Sequence, residues 1–145
     1  MPGRLEGVRI VLVDDDLDVL EAMDTVLSAE GALTRAVSSG ADAVQAVQEE
    51  KPRLVVLDMM LPGKSGFLVL EKIKGYEDAP LVIMLTANEG RRHQAYAESL
   101  GVDRYILKPT PLDHLIDVAE ELLNAPATGK STPGSDGALP PKFGQ

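Results

Sequence analysis

The stretch Leu54-Val55-Val56-Leu57-Asp58-Met59-Met60-Leu61-Pro62-Gly63 decides how this chain reads. Four consecutive apolar residues leave no polar face, so the segment suits a strand buried on both sides. It ends in an acid and then in Pro62-Gly63, a pair that marks a turn. Similar short runs lie at residues 8–13, 33–37, 81–85 and 105–107, several rich in Val and Ile and bounded by Gly, Pro or Asp. Between them the apolar spacing turns helical, with stripes of Leu17, Leu20, Met23 and Leu27, of Ala43, Val44 and Val47, and of Leu112, Leu115, Ile116, Ala119 and Leu123. Strand then helix, repeated five times, predicts an α/β fold with a parallel sheet and helices on both faces. Ligands of such sheets bind at the carboxyl ends of the strands.

Those ends carry unusual chemistry. The first run closes in Asp14-Asp15-Asp16 and the third in Asp58, and adjacent parallel strands would bring these carboxylates to one edge. Two like charges about 4 Å apart repel by roughly 4 kcal/mol at an effective dielectric near 20, so such a cluster needs raised pKa values or a cation. A hard, oxygen-ligated ion is the natural partner, Mg2+ first. Helix capping competes for part of this signal, because acids at the start of residues 17–29 suit the helix dipole. Capping accounts for Asp16 and Asp18 but leaves Asp58 unexplained. The fourth run ends at Thr86 and the fifth at Lys108-Pro109, adding a hydroxyl and an ammonium to the same edge. Singly these are ordinary loop residues; together with a carboxylate nucleophile and a divalent ion they suit phosphoryl transfer to an aspartate.

Val13-Asp14-Asp15, Leu57 through Gly66, Leu85-Thr86-Ala87 and Tyr105-Ile106-Leu107-Lys108-Pro109 occur in one order over residues 8–124. In these motifs the chain resembles the receiver domains of two-component response regulators, and among them the stand-alone chemotaxis type. The resemblance implies a flavodoxin-like (βα)5 three-layer sandwich with strand order 2-1-3-4-5. It implies that Asp58 is the phosphoacceptor, and that Asp15, Asp58 and the backbone carbonyl of Met60 hold Mg2+, or Mn2+ in its place, with Asp14 acting through water. Lys108 would pair with Asp58 and then with the phosphoryl group, across a cis bond to Pro109. Thr86 would meet a phosphoryl oxygen, and Tyr105 would be an aromatic switch, although a strand-edge tyrosine with a polar tip is an ordinary feature in itself. Met60 and Asn88 would line the path of hydrolytic water.

By the same resemblance the first helix would offer Asp18, Val19, Ala22 and Thr25 to a sensor histidine kinase or a histidine phosphotransfer protein. Arg91, Tyr96, Arg104, Tyr105 and Leu112 would form an output face for an unknown downstream protein. The run Gly90-Arg91-Arg92-His93 is a basic cluster on an acidic chain, and also reads simply as a solvated face.

Composition sets outer bounds. The 145 residues, 44% of them apolar, suit one domain. Cysteine is absent, which removes disulfides and thiolate chemistry, and no apolar run approaches the roughly 20 residues that span a bilayer. With no signal-peptide pattern after Met1, a cytoplasmic location without membrane contact is expected. The formal net charge of −9 has the wrong sign for phosphate-backbone binding, so no direct nucleic-acid contact is expected. Residues 1–124 hold 12 basic and 22 acidic side chains, against 2 and 1 beyond them. From 125 to 145 the composition turns rich in Pro, Gly and Ser and reads as a flexible tail, in which Phe143 beside Pro140 and Pro141 reads as a plain disordered end before it reads as a short docking motif.

Three rival readings remain. A phosphatase of the haloacid-dehalogenase type would use Asp14-Asp15-Asp16 as its Asp-x-Asp motif, but wants a further acidic pair and leaves Asp58 idle. A DNA-binding regulator would need an output domain, which about 20 residues after Asn124 cannot form. A degenerate receiver would lack part of the set Asp14, Asp15, Asp58, Thr86 and Lys108, all of which are present. The expected role is therefore a phosphorelay phosphoacceptor, not a turnover enzyme.

Overall fold

The computed structural model describes residues 3–87 and 90–125. Its strands are β1 (Arg9–Val13), β2 (Leu33–Val37), β3 (Leu54–Leu57), β4 (Leu81–Thr86) and β5 (Arg104–Leu107). Its helices are α1 (Leu17–Ala29), α2 (Gly40–Glu50), α3 (Gly66–Lys74), α4 (Arg91–Ser99) and α5 (Leu112–Asn124). All strand pairs are parallel and the order is β2-β1-β3-β4-β5, as the sequence predicts.

The apolar runs are continuous because both faces of the sheet are covered. Ile10, Leu12, Leu54, Val56, Ile83 and Leu85 pack with Leu20, Met23 and Leu27 of α1 and Leu115, Ile116 and Ala119 of α5. Their alternates Val11, Val13, Val55, Leu57, Val82 and Met84 pack with Ala43, Ala46 and Val47 of α2, Val69, Leu70 and Ile73 of α3, and Ala97 of α4. Three layers follow from this alternation of side chains.

Register delivers the chemistry. Val13 lies level with Leu57 and Val37, and Leu57 with Met84, so β1 and β3 run out together. The Asp58 amide donates to the Val13 carbonyl at 3.0 Å, which carries the pairing one residue past the strands. The Lys108 amide donates to the Thr86 carbonyl at 2.8 Å, doing the same on the far side.

Several expectations change in detail. Leu17 is 68% exposed and leaves the α1 stripe, because it sits in the first turn, above the point where the strands end and with no sheet beneath it. β5 is an edge strand, so its run is only half buried and Leu107 faces solvent. The α3 stripe of Val69, Leu70 and Ile73 was hidden in sequence by the unbroken run Phe67-Leu68-Val69-Leu70, which shows no single period. Residues 126–145, expected as a tail, lie outside the described residues, as does Asn88.

The sequence also gave no hint of a strap at the foot of the sheet. Leu5 is fully buried in the α1/α5 layer, and its amide donates to the Glu30 carbonyl at 2.9 Å. Beside it the Arg4 guanidinium reaches Asp117 and Glu120 of α5, each at 2.6 Å. We expect Leu5→Ala to cost about 2–4 kcal/mol, the usual range for emptying a buried leucine site. Urea unfolding would check it, and an unchanged midpoint would place the strap outside the cooperative unit.

Candidate functional site

Asp14, Asp15 and Asp58 meet at the carboxyl edge of β1 and β3, each offering a carboxylate oxygen within 4.8 Å of the others. Asp14 and Asp58 are buried, at 1% and 6% exposure, whereas Asp15 is exposed. Asp16 turns away, and its side chain accepts hydrogen bonds from the Asp18 and Val19 amides at 3.0 and 3.3 Å. That is an N-cap, so the capping reading holds for Asp16 and the clustering reading for the other three. Asp14 is fixed from behind, its Oδ1 accepting from the Asp16 amide at 2.9 Å.

Lys108 enters from the end of β5. Its Nζ lies 2.6 Å from Asp14 Oδ2 and 3.6 Å from Asp58 Oδ2. The expected lysine partner was Asp58, yet the nearer one is Asp14, the more deeply buried carboxylate and the one for which an unpaired charge costs most. Burial opposes the Lys108 ammonium, but the hydrogen bond to Asp14 and the charges of Asp58 and Asp14 outweigh it and hold its pKa up. Burial pushes the Asp58 carboxyl upward, Asp14 adds to this, and Lys108 and the Met60 amide only partly offset it. That amide lies 3.4 Å from Asp58 Oδ1, which brings the β3–α3 loop over the site. The bond between Lys108 and Pro109 is cis, as expected.

Thr86, at the end of β4, is fully buried. Tyr105 sits level with Met84, partly buried against the α2/α3/α4 layer, and burial raises its pKa. Of the expected output face, Arg91 is exposed, Tyr96 is half exposed, Leu112 packs on the α1/α5 layer, and Arg104 bonds Glu121 at 2.8 Å. A Cβ at Gly66 would lie 2.3 Å from the Asp58 carbonyl oxygen, so this glycine lets the start of α3 rest on the backbone of the site.

One like-charged cluster with one lysine fits a hard divalent cation by its donor set, three carboxylates and no softer ligand. Residues 10–120 match the family model of the response regulator receiver domain. The chain belongs to that family. As a receiver domain it is 40% identical over 105 residues to the transcriptional regulatory protein GltR of Pseudomonas aeruginosa, covering 71% of this chain and 43% of GltR. It is likewise 40% identical over 101 residues to the DNA-binding response regulator MtrA of Mycobacterium tuberculosis, covering 70% of this chain and 44% of MtrA. A CheY-like receiver domain from Methanospirillum hungatei superposes with a TM-score of 0.79 at 26% identity, covering 82% of this chain and 95% of that one.

The chain thus spans less than half the length of these curated relatives. The expectation of no direct nucleic-acid contact does not stand, because relatives at 40% identity are named as DNA-binding regulators. Net charge misled because the charge of a receiver domain describes that domain alone and not the whole length of regulators such as these relatives. Among the described residues no helix is long and apolar enough to cross a membrane.

The raised Asp58 pKa makes a prediction for metal-free protein. At pH 7 Asp58→Asn should raise the thermal midpoint by several degrees, on the scale of the roughly 4 °C that 1 kcal/mol brings in a domain of this size. Because the folded pKa exceeds the unfolded one, the wild type regains stability as pH falls through the folded value. The advantage of the variant should shrink over that same interval. Calorimetry from pH 7 to pH 4 checks both, and a gain independent of pH would refute the assignment.

Proposed function

We propose that this receiver accepts a phosphoryl group on Asp58 from a phosphohistidine of a sensor kinase or phosphotransfer protein. The observation that supports it best is the buried Asp58 carboxylate, its pKa raised first by burial and then by Asp14, facing both an acidic pair and Lys108. Asp58 attacks phosphorus in line, the P–N bond to the donor histidine breaks, and an acyl phosphate forms. Asp15, Asp58 and the Met60 carbonyl would hold Mg2+ or Mn2+, with Asp14 acting through water. The ion supplies charge neutralisation for the phosphoryl oxygens. Lys108 then moves its ammonium from Asp14 toward Asp58 and the incoming group, a shift of about 1 Å on the scale of its two present distances. Thr86 offers its hydroxyl to a phosphoryl oxygen, and Tyr105 follows it inward.

An apolar groove lined by Val19 and Ala22 of α1 and by Lys108, Pro109 and Leu112 opens beside the site. It suits an apolar helix face of the donor protein, laid down so that its histidine reaches Asp58. We further propose that the readout governs a DNA-binding output, as the names of GltR and MtrA suggest, that the protein acts in the cytoplasm, and that it is a switch rather than a turnover enzyme.

Acetyl phosphate with Mg2+ should add one phosphoryl group by intact mass. Asp58→Asn should abolish the adduct, Asp16→Asn should leave it in place, and Lys108→Ala should slow its formation by roughly 10²-fold, the scale of losing one charge-stabilising donor. An unchanged adduct on Asp58→Asn would sink the mechanism.

A further inference from the structure

α4 is held by little. It has nine residues, and Ala97 is its only buried one. A helix so placed has low local stability and moves readily. What it does have is an aromatic attachment to α3. The Phe67 ring stacks against His93 at 6.1 Å between centroids with 3° between planes, and meets Tyr96 edge-on at 4.9 Å and 79°. Both distances lie in the attractive range for aromatic pairs.

Phe67 also sits at the other end of a short line to the site. It follows Gly66, whose Cα rests on the Asp58 carbonyl and whose amide donates to the Met59 carbonyl at 2.7 Å. Phe67 and Tyr105 border the same apolar layer that receives Ala97. We propose that Phe67 is a positioning residue: it clamps α4 through His93 and Tyr96, and passes movement of the Asp58 backbone into that helix. The coupling part rests on the phosphoacceptor reading of Asp58; the clamp itself does not.

Hydrogen exchange on residues 91–99 of the full chain, with and without acetyl phosphate and Mg2+, tests this while intact mass reports phosphorylation of the same samples. Phe67→Leu keeps a large apolar side chain but removes the ring, and should speed exchange in α4 about tenfold before phosphorylation and erase most of the phosphorylation-dependent change. Phe67→Tyr keeps the ring and should restore both. Tyr96→Ala, at a half-exposed position that is safe for folding, should loosen α4 in the same way, and combined with Phe67→Leu should add little further. Wild-type exchange in Phe67→Leu, or loss in Phe67→Tyr equal to that in Phe67→Leu, overturns the clamp. A normal adduct with α4 responding fully in Phe67→Leu overturns the coupling. Absence of any adduct on wild type overturns the reading of Asp58 and the coupling with it, while the unphosphorylated exchange rates still judge the clamp.

Discussion

Negative charge gathered where it is expensive is the constraint on which this molecule turns. Asp14 and Asp58 are nearly sealed from water, Asp15 stands at the mouth, and Lys108 is the one cation paired with them among the described residues. The lysine cannot serve two buried carboxylates equally, and it sits on Asp14. Asp58 is left with the larger deficit, which protonation or a bound divalent ion would relieve.

That arrangement needs strands that end together. A slip of one residue between β1 and β3 would exchange the side chains facing the two layers and part Asp14 from Asp58. The two packed layers forbid it, since every apolar residue of β3 is already buried on one side or the other. Core packing therefore fixes the charge cluster.

Much of this was legible in the chain alone. Strand order came with the motifs, and the five strands begin and end within about a residue of the apolar runs because continuous Val, Ile and Leu has one stable use in a sheet covered on both faces. The acids at 14, 15 and 58 could be grouped because parallel strands put their ends side by side. Other features left no local trace. The preference of Lys108 for Asp14 depends on relative burial, which spacing does not encode. The burial of Leu5 and the meeting of Phe67 with His93 and Tyr96 join residues far apart in sequence, with nothing periodic to announce them. The misjudged nucleic-acid connection had a different origin, since charge describes only the piece that carries it.

The strap at the foot of the sheet has a consequence in time. Arg4 and Leu5 are made well before Asp117 and Glu120, the residues that Arg4 grips, which lie 113 and 116 positions later. At ribosomal speeds of about 5–20 residues per second, these partners are on the order of 10 s apart. Throughout that interval the strap has no α5 to close on, and Leu5 stays without half of its pocket. The contact between the strap and α5 can close only after α5 is made, and a nascent chain that stalls before α5 emerges carries an open base.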